Sequence, residues 1–299
     1  MVGGRSEGAA IGKFASAADH AECRRLHRKH GTTYYFATQR FPAPIRRRVH
    51  ALYGFVRVPD EWVDNPANAS RTAQSQVLRD YRAQLLRGLE GVCPDEPVLR
   101  AFCDVVHEVR MPLDEPLLFL DAMEMDLTID RYETYQDLRG YMRGSASAVG
   151  MMMCSALEAG DDPEMLKAAQ SLGEAMQLTN FLRDVAEDAA RGRIYLPRED
   201  LRSFGVTEEE ILAGAASERF LQLMRFEIAR ARALYSLADA GVPMLPPCAR
   251  KAVQVARVLY SRILDRLEAQ GCDPFKGRVR TSTPEKLRIA TQIVLGLRG

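Results

Sequence analysis

The 299-residue sequence lacks the features that mark several large classes of protein. Its six cysteines include no C-x-x-C pair, and no histidine lies at a zinc-ligand spacing from them, which excludes the common zinc modules and predicts reduced thiols. No stretch approaches the ~18 uninterrupted apolar residues of a membrane span. A formal net charge of +1 leaves no basic footprint, so we expect no nucleic-acid partner.

The first 20 residues contain no apolar segment, and no Pro/Gly/Ser-rich linker or internal repeat divides the chain. We therefore expect no secretory leader and a cytoplasmic protein. With 46% hydrophobic residues, the chain can bury a large core. These observations predict a single domain, with residues 1–20 as a flexible N-terminal segment and residues 21–299 as one helical domain.

Helical periodicity is abundant in this sequence. Apolar residues recur every third or fourth position in several segments, and this spacing places them on one face of an α-helix. Strand-like alternation is scarce, and breaks that contain Gly or Pro separate helices of ordinary length. The pattern predicts an all-α bundle. Two clear stripes are Ile45, Val49, Tyr53 and Val56, and Val255, Leu259, Ile263 and Leu267.

Two segments carry aspartates four residues apart on predicted helices. They are DEWVD, with Asp60 and Asp64, and NFLRDVAED, with Asp184 and Asp188. Residues at this spacing share one helix face, where two like charges repel by a few tenths of a kcal/mol. A hard divalent cation would remove that repulsion. Surface ion pairs on solvated faces explain one such segment alone better than a cation does, but the presence of two favours a cation site.

The residues around both pairs suit magnesium and a diphosphate. Mg²⁺ prefers oxygen ligands and completes its shell with water and phosphate oxygens, whereas zinc would require His or Cys. Asn180 lies one turn before Asp184 and adds a neutral oxygen to the same stripe. Arg57 and Arg183 lie beside the acids, where a guanidinium can bind phosphate oxygens in a bidentate manner. We therefore expect Mg²⁺ as the cofactor, with Mn²⁺ as a substitute.

Five stretches, which extend from His30 to about Arg280, resemble one known family. In combination, the two aspartate motifs and the following RGRIYLP are specific, whereas a single D-x-x-x-D motif is not. The sequence is similar to the squalene/phytoene synthase family of head-to-head isoprenyl diphosphate synthases, and most of all to its bacterial phytoene-forming members. The stretches are HGTTYYFATQRFPAPIRRRVHALYGFVRVPDEWVDNP, AMEMDL, GYMRGSASAVG, QLTNFLRDVAEDAARGRIYLPREDL and LYSRILDRLEAQGCDPFKGRVR.

The resemblance implies a single-domain isoprenoid synthase-type helical bundle around a central apolar cavity, with the two aspartate motifs on opposite walls. The four aspartates, Arg57 and Arg183 would act in catalysis, and Tyr141 would lie near the reacting carbons. The implied metal ligands are Asp60, Asp64, Asn180, Asp184 and Asp188. The implied substrate contacts, chiefly to the diphosphates, are His30, Gly31, Thr32, Thr33, Tyr53, Arg57, Gln177, Asn180, Arg183, Tyr260 and Arg278.

The resemblance also implies a reaction, the head-to-head (1-1′) condensation of two geranylgeranyl diphosphates to phytoene, through a cyclopropylcarbinyl diphosphate, in carotenoid biosynthesis. The alternative is a squalene or dehydrosqualene synthase that acts on two farnesyl diphosphates, and squalene formation would add NADPH. A non-catalytic relative that binds lipid or assists assembly is a third alternative, against which the intact aspartates argue. Lipid substrates imply transient peripheral contact with the inner membrane face. The oligomeric state is not predicted.

Ordinary structural roles compete with some of these assignments. Tyr53, Tyr141 and Tyr260 lie at helical spacing, and such tyrosines are commonly core aromatics with a satisfied hydroxyl. The sequence also departs from the family pattern, since Glu61 stands where a second aspartate is frequent. Pro59, at the edge of the first motif, is expected to bend the helix there.

Overall fold

The computed structural model of the protein describes residues 13–65 and 69–297. Within these ranges the regular structure is helical, and the one β-type contact is an isolated parallel bridge between Arg131 and Ile194. This confirms the predicted all-α fold. The α-helices are α1 (Ala17–His30), α2 (Thr32–Thr38), α3 (Ala43–Asp64), α4 (Arg71–Leu89), α5 (Pro97–Val109), α6 (Asp114–Met125), α7 (Tyr135–Met142), α8 (Ala148–Ala156), α9 (Pro163–Arg183), α10 (Val185–Ala190), α11 (Arg198–Phe204), α12 (Glu208–Leu212), α13 (Glu218–Asp239), α14 (Pro247–Ala269) and α15 (Thr283–Val294). Short turns of π-helix (Arg143–Ser147) and 3₁₀-helix (Val242–Met244 and Pro274–Lys276) complete the regular elements of these ranges.

Local sequence accounts for several helix starts. At α1, Ser16 and Asp19 form a reciprocal capping box, in which each side chain binds the backbone N–H of the other residue. Thr134 and Asp137 do the same at α7. Proline occupies the start of α5, α9 and α14, where its missing N–H leaves no helical hydrogen bond unmade.

The N-terminal boundary differs from the prediction. Helix α1 begins at Ala17, and the backbone N–H groups of Phe14 and Ala15 donate to the carboxylate of Asp104 on α5. Helical structure therefore begins before residue 21. The segment has little apolar periodicity, but the Ser16 cap and the Asp104 carboxylate fix its backbone. Residues 1–12 of the predicted flexible segment lie outside the described residues, and its flexibility stays a prediction.

Helix α3 continues through Pro59 and ends only at Asp64. A proline inside a helix has no N–H, so the carbonyl four residues earlier loses its helical hydrogen bond. Here that carbonyl belongs to Phe55, and it accepts a hydrogen bond from the hydroxyl of Tyr81 on α4 at 3.4 Å. The first aspartate motif therefore stays helical although a proline directly precedes it.

Helix α9 is the main packing element of the bundle. It packs against α13, α8, α14 and the π-helical turn, while α3 packs against α1, α5 and α8. The two helices that carry or lead into the aspartate motifs are thus both central to the core. No helix in the described part of the chain combines the length and the apolarity needed to cross a membrane.

The π-helical turn and α9 approach each other closely at Gly173. A Cβ at Gly173 would lie 2.6 Å from the carbonyl oxygen of Ala146, and a Cβ at Gly144 would lie 2.4 Å from the carbonyl oxygen of Leu118. Backbone atoms cannot move aside as the end of a long side chain can. Glycine is therefore required at both positions, and these contacts hold the turn that follows Tyr141.

Replacing Gly173 with alanine is expected to lower the free energy of unfolding by about 1–3 kcal/mol, because the methyl group must displace the facing backbone. Gly140→Ala is the matched control, since it lies in α7 and a Cβ there meets no described atom within 4 Å. That control should stabilise the protein by about 0.5–1 kcal/mol. Urea unfolding followed by circular dichroism measures both changes, and equal midpoints for the two variants would contradict the close approach.

Candidate active site

An elongated cavity of about 350 Å³ lies between α3 and α9. Its lining is mainly apolar and comes chiefly from α2, α3, α8, α9 and α14, which confirms the predicted central apolar cavity. Polar groups gather at one end, at Asp60 and Asn180, and the other end lies at Met165 and Leu245. Because 15 residues separate Met165 from Asn180 on α9, the cavity extends along about 22 Å of that helix.

The first aspartate motif lies at the C-terminal end of α3. Arg57 forms ion pairs with both Asp60 and Glu61, so the glutamate that departs from the family pattern shares the arginine with the aspartate. The Nε atom of Arg57 is buried and has no hydrogen-bond partner among the described residues. Tyr53, one turn earlier, lines the cavity together with Arg57 and Asp60.

The second aspartate motif does not lie within one helix, contrary to the prediction. Helix α9 ends at Arg183, Asp184 has non-helical dihedral angles, and α10 begins at Val185. The N–H of Asp188 still donates to the carbonyl oxygen of Asp184 at 2.8 Å, so one turn separates the two residues. Arg183 binds the Asp184 carboxylate at 2.7 and 2.6 Å, and Arg278 binds it at 2.8 Å.

The two motifs face each other near the polar end of the cavity. One guanidinium nitrogen of Arg191 lies 3.7 Å from a carboxylate oxygen of Asp64 and 3.9 Å from one of Asp188. Arg193 also donates to the Asp64 carboxylate, at 2.7 Å. Carboxylates from both motifs therefore converge. Arg191 and Arg193, in the segment between α10 and α11, compensate their negative charge.

Burial and mutual repulsion make two of these carboxyl groups difficult to ionise. Burial, followed by the charge of Asp64, raises the pKa of Asp60 to about 6, although 39% of the Asp60 side-chain surface remains open at the cavity. Burial, followed by the charges of Asp184 and Asp64, raises the pKa of Asp188 to about 7. A bound divalent cation would remove both penalties, because it stabilises the ionised form.

The donor atoms at this end fit a hard cation whose shell is completed by other ligands. Among residues 13–65 and 69–297, no three His, Cys, Asp or Glu side chains converge closely enough to hold a metal ion by themselves. The available donors are oxygens, and the amide oxygen of Asn180 is buried without a hydrogen-bond partner in these ranges. Such an incomplete oxygen set suits Mg²⁺, which keeps waters and accepts phosphate oxygens, and does not suit zinc.

The structure brings most of the predicted site residues to this region. Tyr260 lies behind the cavity wall, with its ring centre 4.8 Å from that of Tyr34, a cavity-lining residue that the sequence did not single out. The individual roles of these residues stay predictions. Six of them line the cavity itself: Tyr53, Arg57, Asp60, Tyr141, Gln177 and Asn180.

The predicted substrate contacts at residues 30–33 form the junction of α1 and α2, which includes Thr32 and Thr33. His30 Nδ1 lies 3.9 Å from a carboxylate oxygen of Glu61, beside the first motif. Gly31 is required because a Cβ there would lie 2.6 Å from the ring of a cavity-lining tyrosine. The junction therefore adjoins the polar end of the cavity.

Sequence reasoning missed a buried carboxyl group in the AMEMDL stretch. Asp126 accepts hydrogen bonds from the hydroxyls of Tyr141 at 2.7 Å and Tyr195 at 3.3 Å. Arg193 donates to the backbone carbonyl of Asp126 and to the carboxylate of Asp64, so it connects this cluster to the first motif. Burial raises the pKa of Asp126 to about 7. The sequence did offer a signal for this cluster. AMEMDL contains Asp126 and RIY contains Arg193 and Tyr195, and both belong to the stretches that carry the family resemblance.

A buried histidine pair was also missed. His27 Nδ1 lies 2.9 Å from His50 Nδ1, and the His27 ring stacks on that of Tyr53 with a centre-to-centre distance of 4.1 Å. Burial lowers the pKa of His27 to about 3 and that of His50 to about 4, so both rings are neutral near pH 7. His27 itself lines the cavity beside Tyr53, and His50 lies next to it. No spacing rule predicts it, because its members lie on different helices.

Known proteins resemble this chain over most of its length. Residues 27–285 match the family described as squalene/phytoene synthase. A phytoene synthase from Arthrospira platensis is 37% identical, with 91% of this chain and 92% of that protein covered. A 15-cis-phytoene synthase from Synechocystis sp. is 35% identical, with coverage of 89% and 81%. The crystal structure of a dehydrosqualene synthase in complex with a ligand is 30% identical, with a TM-score of 0.85 and coverage of 94% and 96%.

An all-α bundle with two facing aspartate motifs at one end of an apolar cavity defines a prenyltransferase of the isoprenoid synthase type. The chain belongs to the squalene/phytoene synthase family. This family generally depends on a divalent metal, which agrees with the oxygen donors at the polar end of the cavity.

Proposed function

We propose that the protein is a phytoene synthase, which joins two molecules of geranylgeranyl diphosphate head to head for carotenoid biosynthesis. The observation that carries this proposal is the convergence of the two aspartate motifs at the polar end of a long apolar cavity. The relatives named phytoene synthase support this product, because they are 37% and 35% identical to the chain, against 30% for the dehydrosqualene synthase structure.

We assign cation binding to the oxygen-bearing side chains of both motifs. When bound, Mg²⁺, or Mn²⁺ in its place, would stabilise negative charge on the departing diphosphate. The arginines that now pair with these carboxylates would then bind phosphate oxygens. The carboxylates would pair with the cation and the guanidinium groups with the diphosphate, so no charge would be left uncompensated. The proposed ligands are Asp60, Asp64, Asn180, Asp184 and Asp188.

The diphosphates would be bound by basic and hydroxyl-bearing side chains around the same end. Arg57 and Arg183 flank the two motifs, and Arg278 already reaches the Asp184 carboxylate. A guanidinium offers a planar fork that matches phosphate oxygens. The further contacts that we propose are His30, Gly31, Thr32, Thr33, Tyr53, Gln177, Asn180 and Tyr260.

The reaction would proceed in two steps. In the first, the C1–O bond of one substrate breaks, diphosphate leaves, and the allylic cation bonds to the C2–C3 double bond of the second substrate. Loss of a proton gives a cyclopropylcarbinyl diphosphate. In the second, the remaining diphosphate leaves, the carbon skeleton rearranges, and a second proton is lost to give phytoene. Two diphosphates and two protons are released without a reductant, and the apolar walls exclude water that would quench the cation.

Tyr141→Phe is expected to lower turnover by about a hundredfold, because Tyr141 lines the cavity and we propose that its hydroxyl acts near the cation chemistry. Tyr195→Phe is the matched control. It removes a hydroxyl that also donates to Asp126, but Tyr195 does not line this cavity. Turnover of the control should fall less than about threefold, within the range of small positional effects. Equal losses in both variants would mean that Tyr141 acts only through Asp126.

A squalene or dehydrosqualene synthase is the alternative within the same fold. It would act on two farnesyl diphosphates, and squalene formation would consume NADPH as a hydride donor. The similarity to the dehydrosqualene synthase structure supports this alternative. A non-catalytic lipid-binding or assembly role is less well supported, because aspartates of both motifs converge beside the cavity.

Incubation of the purified protein with Mg²⁺ and one isoprenyl diphosphate, followed by identification of the hydrocarbon, tests the proposal. Geranylgeranyl diphosphate should give phytoene, with or without NADPH. Farnesyl diphosphate should give little product. Squalene or dehydrosqualene from farnesyl diphosphate as the main product would replace the proposal by the alternative, and no hydrocarbon from either substrate would favour the non-catalytic role.

We also propose a cytoplasmic location with transient peripheral contact at the inner membrane face. The substrates carry long prenyl tails and the proposed product is a hydrocarbon, so both belong in a lipid phase.

A further inference from the structure

We propose that the surface where the end of α15 meets the start of α14 docks on an anionic lipid bilayer. This inference rests on the proposed function, because a hydrocarbon product would have to pass from the cavity into lipid. We call this surface the C-terminal patch. It consists of Met244, Arg250, Lys251, Val294, Leu295 and Leu297.

The patch exposes several large apolar side chains. Leu295 is 64% exposed and Leu297 is 70% exposed, while Met244 and Val294 are 41% and 42% exposed. Leu287, seven residues before Val294 on the same face of α15, is 52% exposed. Several exposed apolar side chains in one place indicate an interaction surface, because their contact with water is unfavourable.

Hydrogen bonds connect the patch to the apolar end of the cavity. Lys251 Nζ donates to the carbonyl oxygen of Val294 at 2.8 Å, which joins the start of α14 to the end of α15. Arg250 Nε donates to the carbonyl oxygen of Leu245 at 2.7 Å. Leu245 lines the cavity and directly follows the exposed Met244. The patch therefore adjoins the cavity end that lies farthest from the aspartates.

The charge of the patch selects an anionic partner. Residues 240–264 and 286–297 contain six Lys and Arg residues, in a chain whose net charge is only +1, and two of them, Arg257 and Arg262, pair with Asp239 and Asp265 just outside these ranges. Arg250 and Lys251 bond to backbone carbonyls rather than to carboxylates, so these bonds do not compensate their charges. Exposed leucines beside basic residues match an acyl layer beneath anionic headgroups.

A second copy of the chain would fit this surface less well. In a two-fold symmetric dimer the same patch lies on both sides of the interface. The uncompensated Arg250 and Lys251 of one copy would then lie near those of the other, and like charges would repel. A bilayer with anionic lipids offers apolar contact and opposite charge together.

Flotation of the full chain with phosphatidylcholine vesicles, with and without phosphatidylglycerol, tests the docking surface. The unmodified protein should bind the phosphatidylglycerol vesicles, and Leu295→Glu/Leu297→Glu should bind them at least about tenfold more weakly. Val77→Glu/Leu86→Glu is the matched control, because both residues are exposed apolar side chains on α4, at 39% and 40%. The control should bind as the unmodified protein does. Lys251→Gln should weaken binding to anionic vesicles about fivefold, and added salt should reduce that difference.

Two further readouts separate failure of the patch from failure of the proposed function. With geranylgeranyl diphosphate in detergent, the Leu295→Glu/Leu297→Glu variant should make as much phytoene as the unmodified protein. Vesicle binding without any hydrocarbon synthesis would overturn the proposed function and leave the docking surface supported. Docking itself would be overturned by equal vesicle binding of both double variants, by no vesicle binding of the unmodified protein, or by a dimer that only the patch variant abolishes.

Discussion

Asp60→Asn and Asp184→Asn are each expected to lower turnover about a thousandfold while the protein stays folded. Each change removes a negative charge from one of the two facing motifs but hardly alters volume. The loss corresponds to about 4 kcal/mol of charge stabilisation at the leaving diphosphate. Steady-state hydrocarbon synthesis at saturating Mg²⁺ measures it.

Stability measurements separate this effect from misfolding. Asp60→Asn should leave the urea midpoint unchanged or raise it, since burial already disfavours the ionised carboxyl there. Asp184→Asn keeps one acceptor oxygen for Arg183 and should cost about 1 kcal/mol. Asp80→Asn, at an exposed position on α4, is the matched control and should change neither property. Full activity in both motif variants would refute the assignment of the site.

Ala169→Phe is expected to change substrate choice from geranylgeranyl to farnesyl diphosphate. Ala169 lines the cavity on α9, 11 residues from Asn180, which corresponds to about 16 Å along the helix axis. A phenyl ring there would occupy the space for the last isoprene unit of a long tail. At about 0.8 kcal/mol per buried CH₂-sized group, exclusion of five carbons costs about 4 kcal/mol, or about a thousandfold in relative kcat/KM.

Competition between the two diphosphates in one reaction measures this ratio directly. Ala233→Phe, an exposed position on α13, is the matched control and should leave the ratio unchanged. An unchanged ratio in Ala169→Phe would mean that the tail does not reach this part of the cavity. A proportional loss with both substrates would indicate disturbed packing of α9 rather than selection by length.

The fold and the proposed metal ligands were predictable because their signals are local. Apolar stripes and the prolines at helix starts act within a few residues, so they can be read without the tertiary structure. Helix geometry alone likewise predicts that Asp60 and Asp64, four residues apart, lie on the same face. The spacing of Asp184 and Asp188 led to one wrong detail, since a helix junction lies at Asp184.

The residues that were missed depend on partners that are distant in sequence. Tyr195 and Tyr141 meet at Asp126, which lies 69 positions from the first and 15 from the second. His27 and His50 form a pair across two helices. Each of these residues, viewed alone, is an ordinary core or surface side chain. Only the packing of α1 on α3, and of the segment around Tyr195 beside α6, gives them their roles.

The sequence by itself determined the all-helical class, the family and the residue types of the proposed site, because these follow from local periodicity and from motif order. The tertiary structure decided that Asp64 and Asp188 lie near one guanidinium. It also decided that the cavity continues along α9 toward a basic, apolar patch. Contacts of this kind depend on how helices pack, and packing joins side chains whose separation along the chain carries no periodic signal.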